Sequence, residues 1–200
     1  LISREDRPLE ALPPEARIGT SSLRRGAQLL RLRRDLKLLP LRGNVDTRIR
    51  KLDTGTMEAV VLAAAGLKRI GLAGRISHII PVDRMLPAIG QGALGLEVRR
   101  GDRETLALID FLNHEPTRIS VTAERAFLAG LGGGCSIPVG AHATVDNEHL
   151  ELAGIVASPD GQRLIRVDTR GPVSETQKLG HAMAQLAIER GAGDLLQLKF

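Results

Sequence analysis

The sequence predicts an α/β fold in its first half and a small α+β unit in its second. Three observations carry this: short apolar stretches alternate with helix-spaced segments early in the chain, three strand-like stretches follow one another late in the chain, and a Pro/Gly-rich linker divides the two patterns. Arg17–Thr20 reads as a strand, and Ser21 and Ser22 as helix-start residues before a helix over Leu23–Arg34. Leu36–Leu41 reads as the next strand, and Gly43–Asn44 turns the chain into a helix at Val45–Leu52. Glu58–Ala64 has the Val/Leu/Ala content of a buried strand, with a short helix around Leu67–Ile70. Strand–turn–helix units in succession argue for a parallel or mixed sheet with helices on its faces, and such sheets bind ligands at the carboxyl ends of their strands.

Ile80–Gly92 carries Pro81, Pro87, Gly90 and Gly92 without a clear period and reads as the linker; Ala93–Val98 then reads as one more apolar strand. Helical spacing returns at Asp102–Leu112 and at Pro116–Leu131. Three strands are expected at Ile137–Thr144, His149–Ser158 and Arg163–Thr169, the last two joined by Ser158-Pro159-Asp160-Gly161, in which Pro presets φ and Gly accepts a positive one. Glu175–Arg190 closes the chain as an amphipathic helix, so the second sheet is expected to be antiparallel and three-stranded.

The chain has 200 residues, 42% of them apolar and 26% charged, which is globular composition. The longest apolar run, Ala59–Leu67, is far shorter than a bilayer span, and charges crowd the first seven residues where a signal peptide would be apolar. The single cysteine cannot form an internal disulfide. A cytoplasmic protein without membrane contact is expected. Rings for stacking on nucleic acid are almost lacking: three Phe, no Trp and no Tyr.

Charge is uneven. Residues 1–100 hold 19 basic against 10 acidic residues, and residues 101–200 hold 9 against 13. Between Arg24 and Lys51 ten basic residues, eight of them Arg, meet only Asp35 and Asp46. Guanidinium forks pair bidentately with carboxylate or phosphate, so the cluster points to an anionic ligand, although any one of these arginines alone reads as surface.

Three motifs concentrate the chemistry. Gly19-Thr20-Ser21-Ser22-Leu23-Arg24-Arg25 puts hydroxyls, backbone N–H groups and two arginines at a helix N-terminus, where positive charge is unfavourable unless an anion is present. Leu41-Arg42-Gly43-Asn44-Val45-Asp46-Thr47-Arg48 repeats the topology. Neither contains a Gly-x-Gly-x-x-Gly or Gly-Lys-Ser/Thr loop, so a nucleotide is not expected. In Leu131-Gly132-Gly133-Gly134-Cys135-Ser136-Ile137-Pro138, the glycines clear space beside the sulfur, as a cysteine holding a covalent group would need; a lone cysteine is otherwise most often a small buried hydrophobe. His78, His114, His142, His149 and His181 are scattered without ligand or relay spacing, and no metal site is expected.

Together with Ala64-Gly66-Leu67-Lys68-Arg69, Gly90-Gln91-Gly92-Ala93 and Glu124-Arg125, these motifs resemble the hydroxymethylbilane synthases, also called porphobilinogen deaminases, over essentially the whole chain. The resemblance implies a transferase of tetrapyrrole (haem-type porphyrin) biosynthesis that joins four porphobilinogens head to tail with loss of ammonia. The reaction runs on a dipyrromethane cofactor held through a thioether, here at Cys135 beside Gly134. It implies that Thr20, Ser21, Ser22, Arg24, Arg25, Arg42 and Arg48 bind the acetate and propionate arms of that cofactor, and that Arg42, Arg48 and Arg69 bind substrate. It further implies a periplasmic-binding-protein-like α/β domain at 1–90, a segment returning to a preceding domain plus linker at 91–112, and a C-terminal α+β domain at 113–200. A monomer is expected of the full-length protein.

One departure matters. The family's catalytic carboxylate is an Asp in a Lys-Asp motif of a domain that precedes everything present here, and Asp46, Asp53 and Asp83 do not replace it by position. The chain is therefore expected to be a fragment, without a catalytic residue of its own and inactive alone. The segment Gln91–Arg99 is expected to expose an apolar edge (Ala93, Leu94, Leu96, Val98). Two rival readings are a polyanion-binding module, for nucleic acid or another polyanion, built on Arg24–Lys51, and a noncatalytic small-anion receptor; the second leaves the glycines before Cys135 unexplained.

Overall fold

The computed structural model describes residues 1–133 and 137–197. Its first half is a four-stranded sheet of order β1-β4-β2-β3, with β1 at Ile2–Ser3, β2 at Arg17–Gly19, β3 at Lys37–Leu39 and β4 at Ala59–Val60. β2 pairs in parallel with β3 and β4, and β1 runs antiparallel to β4. The parallel pairs are connected by α1 (Leu23–Leu32), α2 (Val45–Asp53) and, after β4, α3 (Ala64–Arg69). Apolar side chains cover both faces: Leu9, Leu12, Ile18, Leu29 and Leu36 on one, Ile2, Leu41, Ile49, Leu52 and Leu67 on the other.

The strands are shorter than the apolar stretches that announce them. β4 keeps two residues because Ala64, expected to end that strand, already begins α3. β1 was not anticipated: two residues carry no period, and Ile2–Ser3 is a strand only because β4 lies beside it.

The expectation at Ala93–Val98 is corrected. No strand forms there, and Leu94 and Leu96 are 88% and 61% exposed. Apolar content does not make a strand without a neighbour to complete its hydrogen bonds, and Gly92, at φ +96°, breaks the approach. The apolar exposure itself was foreseen. It continues through α4 (Arg103–Ile109) to Phe111 and Leu112.

The second half packs α5 (Glu115–Gly130) and α6 (Thr176–Ala187) on one face of an antiparallel sheet of order β5-β6-β7. β5 is Val139–Asp146, β6 is His149–Ala157 and β7 is Leu164–Pro172. Phe127 is the largest side chain wholly buried in this core; a Cβ on Gly154 would lie 2.7 Å from its ring, so ring and glycine fit only together. His114 accepts from the Thr117 N–H to cap α5, followed by Glu115 and Pro116 in the first turn.

Residues 86–91 stitch the halves together. Gln28 of α1 donates to the Leu86 carbonyl (3.1 Å) and accepts from the Leu86 N–H (2.8 Å), while Arg24 donates to the same carbonyl. The Pro87 carbonyl accepts from Ala141 on the free edge of β5 (3.1 Å). Glu124, only 5% exposed, takes the Gly90 N–H on one oxygen (2.6 Å) and the Ala143 N–H on the other (2.9 Å). The linker thus covers a strand edge that would otherwise present unpaired N–H groups.

Phe127→Ala is expected to cost about 3–5 kcal/mol, read as a lowered urea midpoint, because the cavity forms among rigid neighbours. Burial raises the Glu124 carboxyl above its ordinary range, against the opposing pull of its two N–H partners and of His142. The folded chain therefore holds that proton more tightly than the unfolded chain does, so this group's contribution is most favourable in acid and declines as pH rises through its elevated value. Glu124→Gln should remove that component, visible as a flatter dependence of the urea midpoint on pH above the ordinary 4.5.

Candidate functional site

Parallel pairing brings the carboxyl ends of β2, β3 and β4 to one edge, and the chain turns into a helix after each. The first two turns are tied together. Thr20 donates its N–H to the Leu39 carbonyl (2.9 Å), and the Ser21 hydroxyl accepts from the Leu41 N–H (2.8 Å). The N-cap of α1 is Ser22, whose side chain accepts from the Arg25 N–H; Ser21 instead bridges the two turns. Asn44 caps α2 by accepting from the Thr47 N–H (2.9 Å). Gly43 turns the chain at φ +117°, where a Cβ would meet the Thr47 side chain at 2.8 Å. The third turn joins when Arg25 Nη1 donates to the Val61 carbonyl (3.2 Å).

Arg25 and Arg48 share this edge. Arg48, from the second turn of α2, donates Nε to the Gly43 carbonyl (2.8 Å). The Arg25 guanidinium is held below its ordinary pKa, first by burial and then by the charge of Arg48. Arg42 is exposed at the end of β3, and its carbonyl accepts from Lys51 Nζ (3.5 Å). Among the described residues, Arg25, Arg42 and Arg48 form no ion pair, whereas Arg17, Arg33, Arg75, Arg84 and Arg166 each have an acidic partner. Half-buried like charges at helix N-termini are electrostatically unfavourable by themselves and favourable around an anion. Planar guanidinium donors on one edge, with hydroxyls that accept from backbone N–H groups and keep their own protons to donate, fit a small molecule bearing several carboxylates.

Arg24 is placed differently from Arg25. It is 8% exposed and points into the linker, donating Nη1 to the Leu86 carbonyl (2.5 Å) and Nη2 to Gln91 Oε1 (3.2 Å). Burial first, then the neighbouring Arg25, lowers its pKa to about 10. Arg69 stands exposed in the last turn of α3, at the opposite end of that helix from its strand. Gly134 and Cys135 lie outside the described residues; Gly132 and Gly133 before them have φ +82° and +79°, with open space where a Cβ would be. Gln28, Gln91 and Glu124 are buried or bridging polar groups. Gln91 and Glu124 stand in the motifs that carry the family resemblance, without a role assigned to them. Gln28 is not singled out by the sequence reading, its signal being a polar side chain between Ala27 and Leu29 of a helix.

Two family profiles match this chain: "Porphobilinogen deaminase, dipyromethane cofactor binding domain" over residues 1–107, and "Porphobilinogen deaminase, C-terminal domain" over residues 118–189. Among curated relatives, the porphobilinogen deaminase of Desulforudis audaxviator is 51% identical over 195 residues, 98% of this chain and 63% of the relative. That of Pelotomaculum thermopropionicum is 48% identical over 197 residues, with the same shares covered. That of Syntrophotalea carbinolica is 50% identical over 196 residues, 98% of this chain and 62% of the relative. The chain thus spans somewhat under two thirds of the length of these relatives. The arginine-bearing turns fall within the first matched profile and the glycine–cysteine segment within the second, and with matches over most of its length the chain belongs to the porphobilinogen deaminase family.

Proposed function

We propose that this chain supplies the polycarboxylate-holding half of a cytoplasmic hydroxymethylbilane synthase, a transferase that condenses four porphobilinogens with release of ammonia. The observation that carries this reading is the group of arginines at two neighbouring strand ends, Arg25, Arg42 and Arg48, half-buried or exposed and without acidic partners among the described residues. Porphobilinogen and any oligomer of it carry carboxylate arms, which answer that charge.

The cofactor is read as dipyrromethane joined to Cys135, in keeping with the description of the matching family profile. Bound there, it supplies a pyrrole carbon on which the chain of rings is extended. The protein's own contribution is binding and orientation. Arg25, Arg42 and Arg48 clamp carboxylates, the Ser21 and Thr20 hydroxyls donate to the same groups, and Ser22 holds the first turn of α1 so that Arg25 faces them. Arg24 stands beside the group with its remaining donors while fixing the linker. Arg69 is assigned to an outer carboxylate of the substrate, and Gly134 to the space around the thioether. No residue of this chain is assigned the acid role.

Residues 1–90 are read as a periplasmic-binding-protein-like α/β domain, 91–112 as a segment belonging with a further domain, and 113–200 as the cysteine-bearing domain. No nucleic acid or membrane partner is assigned, and the full-length enzyme is read as a monomer. No helix among the described residues is long and apolar enough to cross a membrane.

Titration of the chain with porphobilinogen tests the clamp. Arg25→Ala and Arg48→Ala are each expected to weaken binding by about tenfold to a hundredfold, the range for losing a charge-assisted hydrogen bond. Arg31→Ala, on the exposed end of α1, should leave it unchanged; equal loss for all three would indicate bulk charge and sink the reading. The isolated chain is expected to release no ammonia from porphobilinogen above background, and sustained release would mean that one of its own carboxyls is the acid. Intact mass after incubation with porphobilinogen, followed by peptide mapping, is expected to locate any pyrrole adduct on Cys135; an adduct on another residue would remove the cysteine from the site.

A further inference from the structure

The turn between β6 and β7 touches the first half of the molecule. Ser158-Pro159-Asp160-Gly161 is stiffened by its own hydrogen bonds: the Gly161 N–H donates to the Ser158 carbonyl (2.9 Å), the Gln162 N–H to Asp160 Oδ1 (3.0 Å), and the Arg163 N–H to Ser158 Oγ (3.0 Å). Gly161, at φ +68°, is buried although it sits at a hairpin tip. A Cβ there would lie 2.4 Å from the Ala27 carbonyl oxygen, 3.0 Å from Leu30 Cβ and 3.1 Å from the Arg31 nitrogen. The helix so approached is α1, whose first turn carries Ser22, Arg24 and Arg25.

Two separate demands fall on this position. The positive φ favours glycine but is also open to asparagine. The close approach to α1 is different, since any side chain would meet backbone atoms that cannot swing away. The turn alone therefore does not require glycine, whereas the contact does.

We propose that Gly161 is a positioning residue, and that the β6–β7 turn is the knob by which the cysteine-bearing half is seated on α1. Its place is strategic. The linker grips the same helix from Arg24 and Gln28, and Arg166, at the start of β7, donates to the Asp83 carbonyl (2.7 Å). At the turn the second half bears directly on the backbone of α1. Seating the second half there fixes how the end of α5, at Gly130, stands relative to Arg25 and Arg48. The seating itself does not depend on the enzymatic reading; only its consequence for the pyrrole-bearing cysteine does.

The test uses the full 200-residue chain with Cys135→Ser as background and spin labels introduced in pairs. One pair, Arg50→Cys on α2 with Gln177→Cys on α6, spans the halves; the other, Glu148→Cys with Gln177→Cys, lies within the second half. Each pair should give one narrow distance distribution by pulsed electron resonance. Gly161→Asn, which keeps the turn conformation but adds a side chain against α1, is expected to broaden or displace the spanning distance and leave the internal one unchanged. Gly161→Ala, which adds the Cβ alone against the Ala27 carbonyl, should broaden the spanning distance more weakly. An unchanged spanning distance in both variants would overturn the proposal. So would a disturbed internal distance in both, which would make the contact a requirement for folding the second half rather than for seating it. Porphobilinogen binding left intact in the Arg25→Ala and Arg48→Ala variants while this result holds would remove the enzymatic reading alone.

Discussion

Arg25 and Arg48 sit half-buried near the starts of two helices that begin at one sheet edge, and the charge of Arg48 adds to burial in holding the Arg25 guanidinium below its ordinary pKa. Each guanidinium has one carbonyl partner, Val61 for Arg25 and Gly43 for Arg48, but a positive charge near a helix N-terminus is opposed by the helix dipole, and burial adds to the cost at Arg25. What holds them is geometry: parallel strands that end together, two side-chain caps, and a serine that ties one turn to the next. A site held in an electrostatically poor arrangement by a rigid frame is already organised for the ligand that relieves it.

That frame would be of little use if the second half were free to drift. The seam at residues 86–91 answers this with buried polar groups, each fully occupied: Gln28 both donates and accepts, and Glu124 divides its oxygens between two chain segments. Buried polar contacts of this kind add little net stability compared with apolar packing, yet they admit few alternative arrangements, because displacing any member strands a partner without water. The seam is therefore better understood as fixing position than as supplying cohesion. Cohesion comes from the cores on either side, led by Phe127 in one and Ile18 and Leu52 in the other.

Local chemistry was legible in the sequence, and what depends on distant neighbours was not. The helix starts at Ser22 and Asn44, the Gly43 turn and the Pro-Asp-Gly hairpin follow from residues that act on their own backbone within a few positions, and all appear where expected. Strand limits failed in both directions: Ile2–Ser3 is a strand because β4 lies beside it, and Ala93–Val98 is not one because nothing does. Arg24 and Arg25 are adjacent and chemically identical, yet one faces the linker and the other the strand ends. Their difference is set by Leu86 and Gln91, more than sixty positions away, and no local pattern encodes it.

The same geometry bears on whether a small polycarboxylate or an extended polyanion is the better chemical match for this edge. Nucleic acid backbones reward charge spread along a surface and, for single strands, exposed rings on which bases can stack. Here Arg25, Arg42 and Arg48, which have no acidic partner among the described residues, stand at one sheet edge, whereas Arg17, Arg33 and Arg75 elsewhere on the first half are each paired with a neighbouring carboxylate. Of the two phenylalanines among the described residues, Phe127 is sealed in the core and Phe111 stands in the exposed apolar segment after α4, with neither at the arginine edge. Convergent charge without an aromatic ring beside it among the described residues suits carboxylates presented close together on one small molecule better than a phosphate backbone, which is why the proposed function takes the former.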